Sequence, residues 1–335
     1  MRNNQLSPTP TTKVAQLTFA ALITTALTAC GGGDGSSPAS DTAPPGTATT
    51  PTQTVPGTVS TPQYAANTAQ LAAFNLLNQY RTQCGFPALQ ENTLLDQAAQ
   101  SHARYMSTNG VIADNEVSGK TGFTGVTYQD RAVAAGFPNI YAGGVSGGFY
   151  TTATLSDTQY GQQHVIDWLS GVYHIAIGVW PITLVGIGVS ETPFNGYPDV
   201  RASLSLSGLQ TTPGNGPLTF PCQGTAGVAY QANGEIPAPP NTSGPWGTPV
   251  AVAGNPNDVV VLQSGTMTDP AGRTVNLQLL NSSTDPNKAL PAFEAVAYPT
   301  SPLLPNTQYS VNLSGTVNGT AFSRAFTFST GNIAG

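Results

Sequence analysis

Charge is scarce in this sequence. Of 335 residues only 8% are Asp, Glu, Lys or Arg, about a third of the share usual in soluble domains. Basic residues are the scarcer kind, ten against sixteen acidic, for a formal net charge of −6. Phosphate backbones are held by basic faces, so nucleic acid is excluded as a partner. There are only three histidines and three cysteines. The glycine run "GGVSGG" over 143–148 is not followed by Lys-Ser/Thr, which excludes a phosphate loop and leaves a flexible loop beside a cleft as its expected role. What is plentiful is glycine (37) and proline (28). Few charges with much Gly, Pro, Ser and Thr suit an exported protein with β-rich parts.

The N-terminus agrees with export. Arg2 and Lys13 are followed by the uncharged, mostly apolar stretch from Val14 to Ala29. Residues 1–29 therefore read as a signal peptide, too short and wrongly flanked for a membrane span. "LTAC" at 27–30 resembles a bacterial lipobox. The resemblance implies cleavage before Cys30 and acyl chains on that residue, a membrane anchor where one chain alone would be marginal. Gly31 after the cysteine favours, by the same resemblance, the outer membrane of a bacterial cell envelope. Residues 30–63 contain almost no large apolar side chain and are expected to form a disordered tether. The other two cysteines, Cys84 and Cys222, are expected as a disulfide in an oxidising compartment. It would be worth roughly 2–4 kcal/mol.

The remaining chain divides by pattern. Leu71, Phe74, Leu77 and Tyr80 recur at helical steps and predict a helix from about Tyr64 to Arg81, ended by Gly85 and Pro87. Asn92 is the expected N-cap of a second helix running to Thr108, with Gly110 as its stop. Leu95, Ala98, His102 and Tyr105 share one face of it, so His102 points inward. Residues 109–152 read as irregular, with a short helical turn at Asp130–Ala135. Ser156 and Gln159 form a capping-box pattern that opens a helix through Trp168. Leu184–Ser190 and Ala202–Leu209 alternate as strands. "NGEIPAPPNTSGPWGTP" (233–249) reads as a Pro-rich linker. Beyond it, over 250–335, strands are expected at Asp258–Leu262, Thr274–Leu280, Ala292–Ala297, Tyr309–Leu313 and Phe322–Phe328. Their spacing predicts a small all-β sandwich of immunoglobulin-like type, a spacer or adhesion module.

Several segments of the first folded part, expected over 64–232, carry a family resemblance. They are "LLNQYRTQCGFPALQENTLLDQAAQSHARYM" (76–106), "GFTGVTYQDRAVAAGFP" (122–138) and "WLSGVYHIAIGVWPITLVGIGVS" (168–190). Together they resemble CAP domains, the group of cysteine-rich secretory, antigen 5 and pathogenesis-related proteins, also called SCP domains. The resemblance implies an α+β fold, a three-layer α/β/α sandwich, here followed by the all-β domain. It also implies a central cleft which in larger members carries two His and two acidic residues and in some a divalent metal.

Carried across, His174 matches the second His. The region of the first offers Asp114, Asn115 and Glu116 but no His, and Asn139 stands about where the motif Glu would be. A zinc site wants three or four converging ligands, which His174 with Asp114 or Glu116 does not supply. No cofactor is expected, and His174 is the residue a Zn²⁺ would use if one bound. General acid–base chemistry asks for less. An imidazole beside a carboxylate moves protons near neutral pH, so His174 with Glu116 or Asp114 is the candidate pair. His102, Asn139, Tyr141, Trp168 and Tyr173 are expected to line the cleft. The expected function is a surface lipoprotein, not an enzyme, that binds a small apolar molecule, a glycan or another protein. The alternative is an envelope hydrolase with His174 as base.

Overall fold

The computed structural model describes residues 55–335 apart from 154, 213 and 215. The signal peptide, Cys30 and most of the tether lie outside the described residues. The last part of the tether, 55–63, is packed against the domain. The Asn92 amide donates to the Pro56 carbonyl and the Thr58 hydroxyl, and the Gln63 N–H donates to Glu91.

Helix α1 spans Ala69–Gln83 and starts five residues later than its apolar pattern predicts. Thr68 caps it, accepting the Leu71 N–H, while Tyr64 lies outside and donates its hydroxyl to Asp96 at 2.6 Å. The Thr68 hydroxyl satisfies an end N–H that an earlier start would leave without a capping side chain, since neither Tyr64 nor Ala65 is one. A two-residue strand β1 (Gln90–Glu91) leads into α2 (Thr93–Asn109). Asn92 caps α2 and Gly110 ends it in the left-handed conformation, as the sequence predicts. Then come α3 (Tyr128–Ala134), β2 (Ala142–Tyr150), α4 (Asp157–Ser170), the single turn α5 (Ala176–Val179), β3 (Leu184–Phe194) and β4 (Tyr197–Ser207). Capping boxes open both α3 and α4.

These strands form one sheet in the order β1-β3-β4-β2. Its two faces are covered by different helices, α2 and α3 on one side and α1 and α4 on the other, giving an α/β/α sandwich. The approach of α2 depends on two glycines of β3. A Cβ on Gly186 would collide with the backbone of Leu95 and Asp96, and one on Gly188 with that of Ala99 and Gln100. The run 143–148, expected as a flexible loop, is instead part of the edge strand β2, paired antiparallel with β4 from Ala142↔Ser207 to Tyr150↔Asp199. Its glycines hid the strand pattern, because alternation needs side chains to alternate.

The second sheet has eight strands. β5 (Leu218–Phe220) and β6 (Ala226–Val228) precede the Pro-rich stretch. β7 (Val250–Ala253), β8 (Val260–Thr268), β9 (Thr274–Asn281), β10 (Glu294–Pro299), β11 (Gln308–Val317) and β12 (Thr320–Thr330) follow it. The order is β5-β7-β10-β9-β8-β11-β12-β6. β9 pairs with β8 through its first residues and with β10 through its last, so it passes from one layer of the β-sandwich to the other. β5 and β6 thus belong with the C-terminal strands, although they lie in the stretch expected for the first domain. One buried cluster runs through both parts, from Leu77 and Leu169 by way of Phe220 to Val250, Tyr298 and Phe328. The Cys84–Cys222 disulfide joins the end of α1 to the segment between β5 and β6.

The stretch 233–249, expected as a linker, is packed. Trp246 is 3% exposed, exchanges backbone hydrogen bonds with Ala232 and donates its indole N–H to the Ser170 carbonyl at 2.9 Å. Proline prevents regular structure in such a stretch but does not prevent burial, and one tryptophan supplies enough apolar area to hold it down.

Candidate functional site

A cleft of about 740 Å³ opens where the edge of the first sheet meets the C-terminal part. One wall is the loop after α2, with Ile112, Asp114 and Asn115. The base comes from β2 (Ser146–Phe149) and α4 (Gln163, Asp167, Trp168). The opposite wall is Gly171 and His174, then Asn233–Ile236 and Trp246, with Ala334 and Gly335. Among the described residues no Lys or Arg lines it.

His174 lies on this wall with its side chain 24% exposed. Its nearest carboxylate is Glu235, at 3.7 Å from Nδ1 to Oε1. Glu235 comes from the Pro-rich stretch and enters the turn between α4 and α5. It accepts the N–H groups of Val172 (2.7 Å), Tyr173 (2.9 Å) and His174 (2.8 Å). Burial raises the Glu235 carboxyl above the usual range, and the neighbouring imidazole and the three N–H groups draw it back. These bonds fix the backbone under the imidazole.

The carboxylates expected beside His174 are placed otherwise. Glu116 is buried and turned inward, accepting from the Thr124 N–H at 2.6 Å and the Gly125 N–H at 3.3 Å, and meeting His102 Nδ1 at 3.0 Å. Arg131 Nε stands 4.0 Å away. Glu116 is thus a post that holds the loop after α2, not a partner of His174. His102 is fully buried between Glu116 and the Ala113 carbonyl. Burial, with Arg131 adding, lowers its pKa. It lies under the cleft wall and does not line it. Asp114 does line the same cleft as His174, but its Oδ1 accepts the Tyr128 hydroxyl at 2.7 Å and the Ser146 N–H at 3.1 Å.

Of the expected lining residues, Trp168 is in the cleft. Its indole lies against Gly147, where a Cβ would stand 2.7 Å from Nε1. That N–H has no partner among the described residues. Asn139 is exposed and accepts from Gln129. Tyr141 packs on Trp180 at 6.2 Å. Tyr173 donates its hydroxyl to Asp285 at 2.8 Å and accepts from Asn287. These three do not line the cleft.

Sequence reading missed Asp167, Gln163, Glu235 and Trp246. Burial raises Asp167 to about 7, although the Gln163 amide donates to it. Gln163 also donates to the Ala334 carbonyl at 2.9 Å. The available signal for Glu235 was its position as the one charged residue in 233–249 of a chain with very few. The Ser170 hydroxyl donates to the Asp167 carbonyl at 2.7 Å. A divalent metal does not fit: among the described residues no three His, Cys, Asp or Glu converge as ligands, and the one carboxylate facing His174 is engaged by three backbone N–H groups.

Residues 74–203 match the model of the cysteine-rich secretory protein family, CAP. Among solved structures, an outer surface protein from Borrelia burgdorferi aligns at 13% identity and a TM-score of 0.32, over 42% of this chain and 92% of that one. No curated protein matches the chain.

Proposed function

We propose, on the premise that residues 74–203 are a CAP domain, that this envelope protein works by binding a ligand in its cleft and not by catalysis. The observation that carries this reading is the lining. Trp168, Phe149, Trp246 and Ile236 give about 740 Å³ of partly apolar space, with the polar groups of Asp114, Gln163, Asp167 and His174 along it. Concave sites with an apolar body and few polar groups are the usual form of small-ligand pockets. Three carboxylates and no Lys or Arg disfavour an anionic ligand. A neutral or cationic molecule fits, with a glycan, an apolar compound and a protein segment as the classes to try. The Cys84–Cys222 bond supports an extracellular or envelope setting. A lipid on Cys30 would hold the protein at the membrane surface. Among the described residues no helix is long and apolar enough to cross it.

The test is thermal unfolding of the full chain against neutral, cationic and anionic compound sets. A neutral or cationic ligand at a hundred times its Kd should stabilise by about 2.7 kcal/mol, and His174→Ala should retain most of that effect. Stabilisation by anionic compounds alone, or by none of the three sets, would refute the reading.

One arrangement favours a second reading, an envelope hydrolase. His174 lies 3.7 Å from Glu235, and Asp167, raised to about 7, shares the cleft. An imidazole and a carboxyl group that share a cleft are the groups proton transfer requires. That reading demands a pH-dependent turnover abolished by His174→Ala.

A further inference from the structure

We infer that the cleft takes an extended peptide, which pairs with the free edge of β2 as an added strand. The inference rests on the ligand-binding reading above and names the ligand's class.

β2 is an edge strand; its ladder partner is β4 on one side only. In an antiparallel ladder each residue turns both its N–H and C=O toward the partner or away from it, in alternation. Three bonds set the phase. The Ala142 N–H donates to Gln129 and the Ser146 N–H to Asp114, both off the ladder. The Thr151 N–H donates inward, to the Pro198 carbonyl on the far side. Gly144, Ser146, Gly148 and Tyr150 therefore turn their backbone groups outward. Ser146 and Gly148 lie in the cleft. Asp114 takes the Ser146 N–H, and among the described residues no partner takes that of Gly148.

The local sequence suits a second backbone. Gly147 and Gly148 carry no side chain to hold a neighbouring chain off, and strands pair at about 4.8 Å. Exposed edges are normally blunted by charge, proline or a bulge. This one has none of these from Ala142 to Tyr150, and its residues Ser146 to Phe149 lie in the cleft. Beyond the Ser146 N–H that Asp114 takes, Gly147 to Tyr150 offers about 13 Å of edge at about 3.3 Å per residue, room for about four residues. Main-chain bonds would supply affinity and the pockets beside Trp168 and Trp246 the side-chain preference, as in other strand-addition complexes. The carboxylates of Asp114, Asp167 and Glu235 set the charge: neutral or basic peptides, not acidic ones.

The experiment is hydrogen exchange of the segment 142–150 in the full chain with three probes. The first is an equimolar library of N-acetyl pentapeptide amides without Asp or Glu. The second is the same library N-methylated at every amide, which cannot donate. The third is chitotetraose, a neutral glycan. The expected result is saturable slowing of exchange in 142–150, tenfold or more, with the first library alone. Equal slowing by the N-methylated library overturns strand addition while leaving a cleft ligand. No slowing by either peptide library, with stabilisation by chitotetraose, overturns the peptide and keeps the cleft. No effect from any of the three removes both readings.

Discussion

The backbone N–H of His174 is held at 2.8 Å by the carboxylate of Glu235, sixty-one residues further along the chain. His174 lies within residues 74–203, which match the family model, and is thereby positioned by a stretch outside them. Glu235→Ala leaves three N–H groups without their acceptor, two of them buried. At about 1–3 kcal/mol for each unsatisfied buried group, the loss in unfolding free energy is expected near 3 kcal/mol or above. Glu235→Gln, which keeps one oxygen, should lose less. Urea unfolding of both variants measures this, and equal stability of Ala and wild type would contradict the described role.

Two buried titratable groups should oppose each other as pH changes. Asp167 is raised to about 7 by burial, so its folded form binds a proton that the unfolded chain releases above about 4. Its contribution is present below about pH 4 and is lost as pH rises through 7. Each pH unit of such a one-proton difference is worth about 1.4 kcal/mol. Solvent in the cleft reduces the total to about 2 kcal/mol. In Asp167→Asn the stability between pH 4 and 7 should not fall in this way.

His164 has the other sign. It is buried between Phe149 and Trp168, at 4.7 and 5.4 Å between ring centroids, and neither ring nitrogen has a partner among the described residues. Burial, with Arg201 adding, lowers its pKa to about 3. Its contribution is present above about 6.5 and is lost as pH falls from there toward 3. His164→Phe removes two unsatisfied nitrogens at similar volume. It should stabilise by about 1 kcal/mol at pH 7 and by more at pH 4, read from urea midpoints at the two pH values.

The Cys84–Cys222 bond closes a segment with a sequence separation of 138. Closing a loop of this order constrains the unfolded chain by roughly 4 to 5 kcal/mol on the chain-entropy scale. The double variant Cys84→Ala, Cys222→Ala should lose about 3 kcal/mol or more. Wild type in reductant should move to the same midpoint.

Gly186→Ala tests the seat of α2. The new methyl meets the backbone of Leu95 and Asp96, which cannot rotate away as a side chain could. A loss of about 3 kcal/mol or more is expected, against a small effect for Gly196→Ala, which has open space around its Cβ and bears only the strain of its left-handed backbone.

What could be read from sequence was local chemistry with its own signature. The Asn92 and Gly110 ends of α2 and the Ser156–Gln159 box of α4 stand where the residues place them. So does the pairing of Cys84 with Cys222. His174, singled out by the CAP resemblance, and Asp114 both line the cleft. What escaped was set by distant packing. Glu116 chose His102, fourteen residues back, over a residue on another element. The β2 glycines carry no periodicity, and β5 to β7 are too short to show one. Glu235 looked like a solvated linker charge because nothing in 233–249 announces the buried N–H groups that receive it.

The interleaving of the two sheets has a consequence for anyone who dissects the protein. β5 and β6 precede 233–249, yet pair with β7 and β12 beyond it. A cut in that Pro-rich stretch, which sequence composition marks as the place to divide the chain, would not release two modules. It would strip two strands from their partners, and the Cys84–Cys222 bond, lying wholly within the first piece, would not hold the halves together. Expressed separately, neither fragment would possess the cleft, since one of its walls combines Gly171 and His174 from the first piece with Trp246, Ala334 and Gly335 from the second.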